Sequence, residues 1–145
     1  MRNKQNRMKG EIEMLDTGLL IIRVIIGLLM VGHGAQKLFG MFGGYGIKGT
    51  AGWLESIGMK PGVLMAVGAG AAELIGGLLF ATGLVTWLGA VLLIGTMLVA
   101  IIKVHAANGL WSTSNGYEYN LVLIAVLLGV ALTGAGDYSI DALIQ

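Results

Sequence analysis

Four long apolar stretches, separated by short polar or glycine-rich connections, dominate the chain. The first runs from about Thr17 to Phe39 and is broken only by Arg23, His33 and Lys37. The second runs from about Pro61 to Ala81, the third from about Leu84 to Lys103, and the fourth from about Glu118 to Thr133. From Leu74 to Ile102 there is no Asp, Glu, Lys or Arg. A run of about 20 apolar residues spans a bilayer as a helix. Every backbone polar group in lipid needs an internal partner, so the stretches read as helices. They lack the two-residue alternation of a membrane barrel. The expected fold is all-α, an integral membrane four-helix bundle with up-down-up-down topology over 17–141. A polar N-terminus, 1–16, precedes it.

The connections agree with this order. Pro61 suits the first turn of a helix. Thr82 and Gly83 predict a tight turn that makes the second and third stretches antiparallel neighbours. Residues 40–60 are glycine-rich and carry Tyr45 and Trp53, residue types that favour the membrane interface. A cleaved signal peptide is the competing reading of the N-terminus. It needs a short apolar core and a small-residue cleavage site, whereas this stretch is of spanning length and contains Arg23.

Composition narrows the function classes. Of the 145 residues, 56% are hydrophobic and 12% charged, against about 25% charged in ordinary globular domains. Mean hydropathy is +0.83. This excludes a soluble enzyme and a disordered chain. The net charge of +1 offers no basic field for nucleic acid. There is no Cys, which removes thiolate chemistry, iron–sulfur clusters and zinc–thiolate sites. No metal site is expected. Redox chemistry would need a bound cofactor, a quinone or a partner protein. Arg2, Lys4, Arg7 and Lys9 precede the first stretch, while the opposite connections carry Lys48 and Lys60. This bias puts both termini in the cytoplasm of an inner-membrane, multi-pass protein.

Ionisable residues inside spanning segments are rare and usually paired. Arg23 lies about six residues from the start of its stretch, and Glu73 about eight from the end of the next. With those ends level, the two depths differ by about 3 Å, which predicts a buried Arg23–Glu73 pair. Gly62, Ala66, Ala69, Gly70, Gly76 and Gly77 share the face of Glu73 and would admit a neighbouring helix closely. Gly27, Met30, Gly34 and Lys37 share the face of Arg23.

A second polar group gathers at the far end: His33, Lys37, Lys103, His105, Glu118 and Asn120. His33, Lys37, His105 and Glu118 form the candidate catalytic pocket, suited to a quinone headgroup, an anion or proton transfer. The alternative is interfacial side chains snorkelling to water. Lys103 and His105 lie about 200° apart on a continuous helix, so a shared pocket predicts that the third helix ends at Lys103 and His105 turns toward Glu118. Haem ligation by the two histidines is disfavoured because His105 falls past that end. GYGIKG at 44–49 matches a dinucleotide-loop pattern but lacks the preceding strand. The eight Met read as gap-fillers.

Arg23 with Gly27, HGAQKLFG at 33–40, AELIGGLLFATGL at 72–84, KVH at 103–105, GYEYN at 116–120 and GAGDYSID at 134–141 together resemble the DoxX family of small bacterial membrane proteins. The resemblance implies a four-helix inner-membrane protein. Family members commonly carry the label oxidoreductase. Some look like the membrane subunit of a thiosulfate:quinone oxidoreductase, and others are tied to oxidant stress through partners. By position, the family's polar residues fall on Arg23, Lys37, Glu73, His105, Glu118 and Asp141. The resulting expectation is a membrane component of a quinone-linked redox system. A small-solute or proton-coupled carrier and a non-catalytic scaffold are the alternatives. The partners this leaves room for are the bilayer, a soluble redox protein and a second copy of the chain.

Overall fold

The computed structural model describes residues 2–144 and, among them, contains helices and no strands. Six α-helices follow one another: α1 (Arg2–Phe39), α2 (Gly46–Ser56), α3 (Gly62–Thr82), α4 (Thr86–Ala100), α5 (Glu118–Thr133) and the short α6 (Ile140–Leu143). Three helical stretches are long and apolar enough to cross a membrane: within α1, α3, and Thr86–Asn108, which continues α4. α5 is apolar but has 16 residues. α3, with 21 residues, is about 30 Å long, the thickness of a bilayer's hydrocarbon core.

α1 pairs with α3 through glycines spaced seven apart on both helices. A Cβ on Gly27 would lie 2.6 Å from the Gly77 carbonyl oxygen, and one on Gly34 would lie 2.6 Å from that of Gly70. Side chains at these positions would force the backbones apart, so the small face is what permits the contact. The pairing is antiparallel and fixes the register: Gly27 sits opposite Gly77, and Gly34 opposite Gly70. α3 turns its other side to α4, where Gly76 meets Gly89. α4 in turn packs on α5. Their shared core contains Met30 of α1, Phe80 of α3, Leu93 and Met97 of α4, and Leu123 and Leu127 of α5.

Local structure refines the reading at three places. Residues 2–16, within the polar N-terminus, are helical and continue α1. The helix-compatible residues there are reinforced by Arg7–Glu11 and Lys9–Glu13 pairs one turn apart. The 40–60 connection contains α2, whose Ala51 and Leu54 pack on Ala66 of α3. Its Glu55 carboxylate accepts the Gly62 N–H at 2.9 Å, satisfying a donor at the start of α3. Nor does the third helix end at Lys103. It widens into a π-helical turn over Ile101–His105 and then a 3-10 turn over Ala106–Asn108. Such departures from α-helical geometry, one wider and one tighter, keep the backbone hydrogen-bonded while shifting side-chain directions.

α3 stops where Gly83 takes a left-handed conformation (φ 69°) and its N–H returns to the Leu79 carbonyl. The C-terminal segment 134–144 then folds back across this end of the helices. Its Asp137 N–H donates to the Asp16 carboxylate at 3.1 Å. Its Asp141 N–H donates to the Gly83 carbonyl at 2.8 Å.

Candidate functional site

Glu73 is paired with Lys37, not with Arg23. Lys37 Nζ lies 2.5 Å from Glu73 Oε2, and the two side chains are 28% and 5% exposed. The expected Arg23–Glu73 pair is not made because α1 overhangs α3. Ala81, near the end of α3, packs beside Gly27 and not beside the start of the apolar stretch at Thr17. That is a shift of about ten residues, or 15 Å. It lifts Arg23 past the end of α3 and brings the last turn of α1 down to Glu73. Lys37 shares the face of Gly34, so helical periodicity put it on the side of α1 that meets α3 without setting its height against Glu73.

His33 sits half-buried on α1, one turn before Lys37. Buried acid–base groups in a membrane helix are costly unless paired, and each partner here offsets the other's burial. The pair presents donor and acceptor capacity on the side where Lys37 is partly open.

His105 and Glu118 are held elsewhere. His105 Nδ1 lies 2.8 Å from the Asn115 carbonyl oxygen, an acceptor that fixes the ring proton on Nδ1. The Glu118 carboxylate accepts the Ser112 N–H at 2.9 Å. Backbone bonds from Tyr117 to Gly109 and from Glu118 to Leu110 close the same loop. The two side chains therefore pin the 109–117 loop from the ends of the helices that flank it. Lys103 is exposed. Asn120 is buried and donates to Met97 Sδ at 3.4 Å. The structure thus brings together Lys37 and Glu73 with His33 one turn away, and leaves His105 and Glu118 at the helix ends that flank the 109–117 loop.

Arg23 belongs to a different constellation. It is fully buried, and its Nη2 donates to the Tyr138 carbonyl at 2.5 Å. Gly83 lies directly against the guanidinium, where any side chain would collide with it. Asp141 completes the arrangement by accepting from the Val85 N–H at 2.7 Å and from the Thr86 N–H and hydroxyl at 3.1 Å each. These are the orphan donors at the start of α4. Burial pushes the Asp141 carboxyl up, but the bonds from Thr86 and Val85 and the Arg23 charge outweigh it and hold the group below the ordinary carboxylate value. No run of apolar or polar residues in the sequence forecast this clamp. The sequence held its parts separately, as Arg23 and the motif GAGDYSID with its two carboxylates.

No group of three or more His, Asp or Glu side chains among the described residues is arranged to hold a metal ion.

Comparison with known proteins agrees with the family resemblance. The DoxX family model matches residues 18–106. The chain is 33% identical over 126 residues to "Putative oxidoreductase CatD" of Bacillus subtilis (strain 168), covering 87% of this chain and 86% of that protein. It is 30% identical over 130 residues to "Inner membrane protein YqjF" of Escherichia coli (strain K12), covering 90% and 94%. No solved structure matches. The family match takes in α1 from Gly18, α2, α3, α4 and the clamp's Arg23, and with it the chain belongs to the DoxX family of membrane proteins.

Proposed function

We propose that the protein is the membrane-embedded, quinone-binding component of a redox system, with α5 as the fourth crossing of an up-down-up-down bundle in the inner membrane. Both termini lie in the cytoplasm in this reading, which the Lys4, Arg7 and Lys9 side of the charge bias supports. The observation that carries it is the Lys37–Glu73 pair inside the apolar zone, partly open, with His33 one turn away. Quinone reduction consumes two electrons and two protons. In this reading a soluble redox partner supplies the electrons. Lys37 donates to the quinone carbonyl oxygen and stabilises the charge that develops on it. Glu73 and His33 pass protons to the two oxygens. His105 and Glu118 contribute by holding the 109–117 loop near that end of the bundle.

A carrier would need a polar path between the two ends. Between Glu73 and Arg23 the centre of the bundle is filled by Met30, Phe80, Leu93 and Leu127, all fully buried apolar side chains. This supports the quinone reading over transport. The test is purification in lipid nanodiscs followed by extraction and mass spectrometry of bound quinone. Wild type retains quinone, and Lys37→Met and Glu73→Gln lose it while staying folded. Folded wild type without quinone, or Lys37→Met with an undiminished load, overturns the reading.

A further inference from the structure

Above Asp16, α1 projects about 20 Å past the rest of the bundle. This overhang carries Lys4, Arg7, Lys9, Glu11 and Glu13 and so belongs in water. It is not polar all round. Gln5, Met8, Ile12, Leu15 and Leu19 follow a 3–4–3–4 spacing, which places them on one stripe. Leu19, the last of them, is buried in the bundle core. Met8, Ile12 and Leu15 lie on the same side of the helix but remain 47%, 56% and 59% exposed. The stripe that packs against the other helices within the bundle thus runs on into solvent without them.

Where the overhang meets the folded-back C-terminal segment there is a groove of about 450 Å³, with Met8, Ile12 and Tyr138 as its apolar floor and Lys9, Glu13 and Asp137 at its edges. A second copy in the same membrane does not fit it. Its α1 would run parallel, and because the stripe faces this chain's own bundle axis, the two bundles would collide. The charges oppose it as well: flanking positions of a parallel pair would set Lys4 against Lys9 and Glu11 against Asp16.

We propose that this groove docks one amphipathic helix of a water-soluble protein, with apolar residues at three- and four-residue spacing. Its charges are acidic at the end far from the membrane, opposite Lys4 and Lys9. They are basic at the near end, opposite Glu13 and Asp137. Helix-in-groove binding of this kind draws its affinity from the apolar anchors and its orientation from the flanking charges. The docked helix rests on Tyr138, whose carbonyl holds Arg23, so it covers the clamp. The inference does not depend on quinone binding, and its test uses quinone-free protein.

The probe is a fluorescent 18-residue helical peptide with Leu and Ile at the stripe positions and the stated charges, titrated onto the full chain in nanodiscs. A second peptide carries the two charged ends exchanged. The matched peptide binds, and the exchanged one binds about fivefold more weakly at low salt, the gap closing in about 1 M salt. Ile12→Glu weakens the matched peptide by roughly tenfold or more, and Arg7→Gln, which lines neither groove beside Tyr138, leaves it unchanged. Equal binding of the two peptides at low salt, or insensitivity to Ile12→Glu, overturns the proposal. So does efficient disulfide dimerisation of Ile12→Cys, which is readily scored because the chain has no other Cys.

Discussion

α1 buries two cations 14 residues apart, about 21 Å along the helix, and the protein treats them differently. Arg23 is fully enclosed and held by parts of the chain that cannot titrate in the ordinary range or are already engaged: the Tyr138 carbonyl and, near by, an Asp141 carboxylate occupied by the start of α4. Lys37 is partly open and held by a single side chain, Glu73, with His33 on the preceding turn. The first arrangement joins the chain's C-terminal segment to the bundle. The second joins two side chains and leaves one of them partly open. Arg23 and Asp141 therefore build one end of the molecule, and Lys37 and Glu73 lie toward the other.

Four measurements break or sharpen this contrast. The largest effect belongs to the two cations themselves. Removing one member of a buried pair strands the other and costs about 3–5 kcal/mol. Glu73→Ala will lower the thermal stability of the detergent-solubilised protein by that order. Lys37→Met combined with Glu73→Leu will recover most of it. A double variant as unstable as the single one removes the pair from the argument. Arg23→Met will be comparably destabilising, since it frees the Tyr138 carbonyl and leaves Asp141 without its nearby charge. Yet the fraction that folds will hold quinone as wild type does. Loss of quinone in folded Arg23→Met erases the distinction between the two ends.

A smaller effect follows at Asp141. Asp141→Ala leaves the Val85 and Thr86 donors unmet, a loss of about 1–3 kcal/mol for a buried donor. The Asp141 carboxyl lies below its ordinary value in the folded protein. Its contribution is therefore complete above the unfolded carboxylate value and is lost as pH falls through the folded one. Wild type should lose stability on acidification below about pH 4, and Asp141→Asn should flatten that part of the profile. An unchanged slope removes Asp141 as the titrating group. The smallest effect is at the loop. His105→Ala and Glu118→Ala should each leave the thermal stability close to that of wild type, because the bonds they lose are open to water. Faster amide exchange over 109–117 is the expected signature. A large loss of quinone instead would place both residues in the pocket that their position first suggested.

The sequence by itself determined the class and much of the architecture. Charge-free runs as long as 74–102 force helices that satisfy their own backbones in lipid, and the helix positions for α3 and α5 fall within one residue of the apolar limits. The small face of α3 and the shared face of Gly27, Gly34 and Lys37 were also legible, because helical periodicity alone places them. The partner of Glu73 was not. The limits of an apolar run say where lipid is tolerated, not where the helix stops, and α1 continues 15 residues beyond Thr17. Only the packing of Gly27 on Gly77 and Gly34 on Gly70 fixes how far one helix slides along the other. A slide of about 15 Å exchanges one cation for another while leaving every apolar run intact. The clamp was hidden for a related reason: Arg23, Gly83 and the 137–141 segment are far apart in the chain, and the carbonyl that receives Arg23 belongs to a backbone whose path no side-chain pattern records.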